Sequence, residues 1–248
     1  MAASGDDTAD ASVPRAYWVG TSGYNYPEWK GSFYPEKISS PKMLPYYAER
    51  LRTVEINYTF YRMPTPKLLA GWSAATPPEF RFTLKAPRRI THDARLRGCD
   101  DLVAAFCDAA RTLGPKLAVL LFQLPPSLKA DVGLLDGFLA TFPEGMRAAF
   151  EFRHPSWHAD AVYERLAAQG LALCVADSER LTTPTVATAP YGYFRLRDAG
   201  YTSADVTRWA QTMQDESRWG DVFVYFKHEA EGKGPELASQ LVTALGGA

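Results

Sequence analysis

The sequence predicts an α/β protein, a single (β/α)8 barrel of the TIM type with its site at the C-terminal ends of the strands. Eight short apolar runs alternate with helix-periodic stretches, a pattern that favours a closed parallel barrel over an open sheet. Most runs end in charged or amide side chains two residues apart, as in VEIN (54–57), FTLK (82–85), LLFQ (120–123) and FEFR (150–153). No GxGxxG or Walker pattern is present, so the phosphate loop of an open nucleotide-binding sheet is missing.

Each unit follows in order. WVG (18–20) reads as the first strand and leads through a Gly, Tyr and Pro-rich loop to a helix near 42–52. VEIN passes through YTFYRMP to a helix near 66–75. FTLK opens a long loop, 86–99, before a helix over 100–113 in which Leu102, Val103, Phe106, Cys107, Ala110 and Leu113 keep helical spacing. LAVLLFQL (117–124) is apolar on both faces, as a strand covered on both sides should be, and Gly114-Pro115 marks its start. AAFEFR, LALCVAD, YGYFRLR and DVFVYF (221–226) supply strands five to eight, and Leu237, Leu241, Val242 and Leu245 line the last helix. The sixth unit alone shows no clear helix.

Composition narrows the function classes. A chain of 248 residues, 46% hydrophobic and 22% charged, suits one barrel-sized domain, expected over 15–248. A net charge of −1 and a pI near 6.4 argue against wrapping by nucleic acid or attachment to an acidic membrane through bulk charge. Cys99, Cys107 and Cys174 are odd in number and never paired as CxxC, which fits a reducing compartment and core packing rather than a thiolate metal site. No apolar run approaches the roughly 18 residues of a membrane span, and the start lacks a basic, apolar targeting segment. A cytoplasmic protein is expected, with residues 1–14 as a polar, acidic, disordered leader.

Strand alternation places Glu55 with Asn57, Thr83 with Lys85, and Glu151 with Arg153 on one face each. The inward set at the barrel mouth is therefore expected to be Glu55, Lys85, Glu151, Arg153, Asp177, Arg195 and Lys227, with Thr21, Asn57, Thr83 and Gln123 beside them. An ion-pair network that only closes the barrel top is the plainer alternative, but desolvating so many ions costs several kcal/mol each and favours a built pocket. With strands about 4.8 Å apart and tilted about 36°, the Glu55 and Glu151 carboxyls should lie roughly 6 to 7 Å apart, touching the window of inverting glycosidases. Arg153 should keep Glu151 ionised, while Glu55 has no basic neighbour in sequence. Glu55 is therefore expected to have a raised pKa and act as acid, with Glu151 as base.

Lys85, Arg153, Arg195 and Lys227 point to a small anionic molecule, carboxylate or phosphate. Tyr24, Tyr26, Trp29, Tyr58, Phe60, Tyr61, Phe122 and Trp157 follow strand ends, where a sugar or base ring could stack. Arg88, Arg89, Arg95 and Arg97 make the 86–99 loop a candidate lid or polyanion contact and keep a noncatalytic nucleic-acid or nucleotide binder open, though not favoured. His92, His154 and His228 could join the carboxylates around a divalent metal, as in a metal-dependent phosphodiesterase. No HExxH or paired-His spacing supports that, and the positive neighbours oppose it, so no cofactor is expected.

The blocks GTSGY (20–24), VEINYTFYRMP (54–64), FTLKAPRRITH (82–92), LLFQLPPS (120–127), FEFRHPSW (150–157) and FKHEAEGKGP (226–235) resemble the signature blocks of the YecE-like family, also called the domain of unknown function 72 family. The resemblance runs from about residue 17 to the C-terminus and implies a TIM-type barrel, usually cytoplasmic, with no general activity assigned. On the family pattern the matching positions are Glu55, Asn57, Lys85, His92, Gln123, Glu151, Arg153, His154, Trp157 and Arg195. The chain departs from it at Arg197-Asp198 and at Lys227-His228-Glu229, which affects contacts expected from strands seven and eight.

Overall fold

The computed structural model describes residues 15–179 and 181–247, and the leader expected over residues 1–14 lies outside them. Eight parallel strands form the barrel: β1 (Ala16–Ser22), β2 (Thr53–Ile56), β3 (Arg81–Lys85), β4 (Leu117–Gln123), β5 (Ala148–Glu151), β6 (Ala172–Ser178), β8 (Tyr191–Leu196) and β9 (Asp221–Phe226). A two-residue strand, β7 (Leu181–Thr182), lies antiparallel to the end of β6. The strands run in the order β5-β4-β3-β2-β1-β9-β8-β6, and β5 pairs with β6 to close the ring through Ala149↔Ala172 and Phe150↔Leu173. This is the (β/α)8 barrel expected. The sixth unit has β7 in place of a helix.

Helices cover the outside: α1 (Ser40–Ala48), α2 (Tyr58–Tyr61), α3 (Pro66–Ala74), α4 (Asp100–Arg111), α5 (Val132–Ala140), α6 (Asp160–Ala168), α7 (Ser203–Asp215) and α8 (Lys233–Ala244). Their ends follow local chemistry. Thr65 and Asp131 accept the backbone N–H of Leu68 and Leu134, and Thr202 with Asp205 forms a reciprocal capping box for α7. Asp100 and Asp101 sit at the positive end of α4 and Arg111 at its negative end. The first helix starts two residues earlier than expected, where Pro41 suits its first turn, and ends by Ala48, with Leu51 buried beyond it. The 86–99 loop holds one π-type turn, Arg89–Asp93, followed by positive φ at Arg95 and Leu96.

Two apolar layers result from the period of two. Val19, Val54, Ile56, Phe82, Leu84, Phe122, Phe150, Val175, Phe194 and Val224 face the helices in one continuous core. Trp18, Val119, Leu121, Ala149, Ala172, Cys174, Ala176, Tyr191, Tyr193, Phe223 and Tyr225 fill the barrel interior. The inner face of β6 is thus all small, leaving the volume that large residues of β8 and β9 occupy. The three cysteines are buried. No helix among the described residues is long and apolar enough to cross a membrane.

At Gly20 the backbone of β1 leaves no room for a side chain beside β2. A Cβ there would lie 2.0 Å from the Thr53 carbonyl oxygen and 3.0 Å from the Tyr47 hydroxyl. Gly20→Ala should therefore force the β1–β2 backbone apart and destabilise the protein by about 2 kcal/mol or more, measured as a lower midpoint in urea unfolding.

Candidate functional site

The upper interior of the barrel is polar because β2, β5 and β8 each end with a charged residue on the inner face. Glu55, Glu151 and Arg195 are 0%, 0% and 1% exposed. The Arg195 guanidinium stands between the two carboxylates. Its Nε and Nη2 donate to Glu55 (2.9 Å to Oε2, 2.8 Å to Oε1), and Nη1 donates to Glu151 Oε2 at 2.5 Å. Glu55 also accepts from Ser22 Oγ at 2.5 Å and Tyr193 OH at 2.6 Å, and Asn57 Nδ2 donates to Ser22 Oγ at 2.8 Å. Gln123 Nε2 donates to Glu151 Oε2 at 2.8 Å. Just below, the Tyr225 hydroxyl bonds to Thr53 and Thr83.

The space expected to admit a water between Glu55 and Glu151 therefore holds a guanidinium. The acid role expected for Glu55 does not fit. Burial alone would raise its pKa, but the charge of Arg195 and bonds from Arg195, Ser22 and Tyr193 bring it below the ordinary value. Burial likewise opposes ionisation of Glu151, and Arg195, Arg197 and Arg153 overturn it, holding that carboxyl well below the usual range. Both carboxylates are thus held toward the charged form, which favours neither as a proton donor.

Glu151 Oε1 is different. Arg153 Nε and Arg197 Nη2 approach it at 3.2 and 3.5 Å, without the alignment of a hydrogen bond. Those guanidiniums, with Lys227, Pro126, Pro155, Ser178 and Glu179, line a cavity of about 570 Å³ at the barrel mouth. The buried network thus forms the floor beneath an open, cation-rich pocket. Another cavity of about 650 Å³ opens at the opposite, N-terminal end beside Trp18, Arg81, Arg147 and Asp221. There Arg147 already pairs with Asp221 at 2.7 Å, and barrel chemistry belongs to the C-terminal face.

Lys85, 8% exposed, donates to Gln123 Oε1 at 2.8 Å and sits 4.1 Å from the centroid of the Phe60 ring. Burial, then the charge of Arg195, lowers its pKa to about 7 against partial support from Glu55 and Glu151. His92 packs edge-on against Phe60 at 5.0 Å, its pKa lowered by burial and by Lys85, Arg88 and Arg153. Lys227 lines the cavity and lies 3.8 Å from Glu229. Tyr58 and Tyr61, 46% and 77% exposed, stand on α2.

Other expected contacts fall elsewhere. Thr21 faces the helices, where its backbone N–H and hydroxyl meet Tyr47 OH, so Ser22 is the inward residue of β1. Asp177 shares the outward face of Leu173 and Val175 and accepts from Thr182 and Tyr201, each at 2.6 Å. Arg197, two residues past Arg195, is inward as well, and like Ser22 it stands outside the set expected from the sequence. Trp157 is fully buried, stacked on Phe152, with Nε1 donating to Leu128 O, and cannot stack on a ligand there. Phe122 and Trp29 are core residues too. His154 shares a bond with Ser156 within its own loop. Among the described residues no three His, Cys, Asp or Glu side chains gather as a metal ion would need.

The family model described as "Protein of unknown function DUF72" matches residues 18–248. The UPF0759 protein YecE of Escherichia coli K12 is 32% identical over 155 residues, 62% of this chain and 54% of YecE, so the chain spans about half the length of that curated relative. The UPF0759 protein YunF of Bacillus subtilis is 26% identical, covering 86% of this chain and 90% of YunF. A crystal structure of a DUF72 family protein from Thermotoga maritima superposes with a TM-score of 0.82 at 27% identity, over 93% of this chain and 99% of that one. One from Enterococcus faecalis gives 0.75 at 20% identity, over 94% and 98%, and shares the fold.

Two outcomes follow from the buried charges. Arg195→Met leaves two fully buried carboxylates without their cation and should cost about 3 to 5 kcal/mol at pH 7. The gap to the parent should narrow as pH falls, because the variant's glutamates can fold protonated while the parent loses stability below about 4.5, the ordinary carboxyl value. Lys85 has a folded pKa below its ordinary 10.5, so its burial penalty is full below about pH 7 and fades as pH rises toward 10.5. Lys85→Met should accordingly be more stable than the parent below pH 7, by a margin that shrinks across that window in pH-resolved urea unfolding.

Proposed function

The chain belongs to the DUF72 family, and on that premise we propose that it is a barrel enzyme that binds a small carboxylate- or phosphate-bearing substrate at the strand ends. The observation that carries this is the charge of the cavity wall. Arg153, Arg197 and Lys227 line the cavity with one carboxylate, Glu179, over a floor in which Glu55 and Glu151 share Arg195, so that four cations stand against three carboxylates. A volume of about 570 Å³ suits a small molecule. Planar guanidiniums suit its anionic group, since each can give two parallel bonds to a carboxylate or phosphate.

In this reading Glu151 is a positioning residue. Its under-bonded Oε1 draws Arg153 and Arg197 together, which prearranges them and lowers the ordering cost of binding. Glu55 acts at one further remove by fixing Arg195. The acid/base step then falls to groups other than the two carboxylates. Lys85 and His92, both with pKa values shifted toward the neutral form, are the groups suited to it.

A polyanion-binding reading is less favoured by the loop after β3. Arg88 pairs with Asp93 and Arg97 with Asp131, both at 3.1 Å, so much of its charge is already matched. Calorimetric titration of inorganic phosphate, pyruvate and a short single-stranded oligonucleotide separates the two. Arg153→Ala/Arg197→Ala should weaken binding of a small anion by about tenfold or more, while Arg88→Ala/Arg89→Ala/Arg95→Ala leaves it unchanged. Oligonucleotide binding that survives the first variant and is lost in the second, with no small-anion binding by the parent, would overturn the proposal.

A further inference from the structure

Two lysines are buried among the described residues, and they are held in opposite ways. Lys116 has the pattern of a structural ammonium, donating to Ser73 O at 2.6 Å, Thr76 O at 2.7 Å and Thr76 Oγ1 at 3.1 Å, away from the barrel mouth. Lys85 donates once, to the neutral amide oxygen of Gln123. It forms no ion pair with a described carboxylate, although Glu55 and Glu151 are among the charges it senses. Both of those are committed to Arg195. A buried ammonium in that setting costs stability, and a methionine would fill the space without the penalty. The chain places an amine there, at the end of a barrel strand, where it is of use for chemistry.

We propose that Lys85 is the reactive amine of this site and forms an imine with a small carbonyl compound carrying a carboxylate or phosphate. The proposal rests on the anion-binding reading above and specifies its substrate class. The geometry has three parts. Gln123 takes one N–H of the amine and is itself fixed by Glu151, so the nitrogen is oriented. The Phe60 ring covers a second side, its centroid 4.1 Å from the nitrogen. The cationic cavity wall lies farther along the same hydrogen-bonded chain, with Arg153 two residues beyond Glu151, and would hold the substrate's anionic end.

The step balances without any oxidant or reductant. The Nζ lone pair attacks the carbonyl carbon, and one proton passes from nitrogen to the carbonyl oxygen to give a carbinolamine. Loss of that oxygen as water then leaves a C=N bond. The groups that set the amine's protonation are Arg195 on β8, Glu55 on β2, Glu151 on β5 and Lys227 after β9, while His92, beyond β3, responds to it. Arg195 and Lys227 oppose the ammonium, the two glutamates favour it, and burial opposes it most. Burial and these cations shift the amine toward its neutral, nucleophilic form, which an exposed lysine adopts in roughly one part in a few thousand near pH 7.

The test traps the imine by reduction. The full chain is incubated with pyruvate, glyoxylate or dihydroxyacetone phosphate together with cyanoborohydride, and the modified lysine is identified by peptide mass spectrometry. One adduct per chain at Lys85 is expected, forming about tenfold or more faster than at any other lysine at pH 7, suppressed by excess inorganic phosphate and absent in Lys85→Met. If small anions bind and no probe labels Lys85 ahead of exposed lysines, the imine proposal fails and the anion site stands. If neither binding nor labelling occurs, the anion reading fails with it. Labelling of Lys85 that phosphate does not suppress would uphold the reactive amine and overturn its link to the cationic pocket.

Discussion

Arg195 lies between Glu55 and Glu151, and the upper half of the barrel is arranged around that contact. Three charges are buried there at once, which is tolerable only if each has partners in good geometry. The planar fork meets this need. One side serves Glu55 and one terminal nitrogen serves Glu151, while Ser22, Tyr193 and Gln123 take up further bonding capacity on the carboxylates. A lysine in the same place would offer a point charge on a flexible stem and could not span both acids in this way. The small inner residues of β6 are the packing counterpart, since Ala172, Cys174 and Ala176 leave room for the larger chains of β8.

That contact also determines what remains above it. With Glu55 and half of Glu151 committed to Arg195, one oxygen of Glu151 and the Glu179 carboxylate remain among the described residues to oppose Arg153, Arg197 and Lys227 at the cavity. Positive charge is therefore in surplus at the cavity wall. The same commitment leaves Lys85 without an acid of its own, so its protonation is governed chiefly by burial and cationic neighbours. On the proposed reading, the cation-rich wall and a lysine with no carboxylate partner among the described residues have a common origin in one bridging arginine.

Much of this was legible in the chain because strand periodicity is a strong signal. The alternation that places Glu55, Lys85, Gln123, Glu151 and Arg195 inward holds at every one of those strands. The same alternation reaches Ser22 and Arg197, which lie at even spacing from Trp18 and Arg195. Thr21 and Asp177 depart from the expected face because polarity alone does not set a side chain's direction. Each is instead satisfied on the helix side, by Tyr47 for Thr21 and by Tyr201 and Thr182 for Asp177. The expected raised pKa of Glu55 failed for a different reason. Its cation comes from a residue 140 positions away, and sequence proximity carries no information about it. Trp157 illustrates the same limit for aromatics, since only the packing of Phe152 and Leu128 shows that it faces the core.

The most direct measurement is an anomalous difference map from crystals of the full chain soaked in bromide. Bromide lodged between Arg153, Arg197 and Lys227, above an Arg195 that still bridges Glu55 and Glu151, is the expected result. Bromide found only at the N-terminal end of the barrel or on surface lysines, with the mouth cavity left to water, would contradict the surplus of positive charge on which the functional proposals depend.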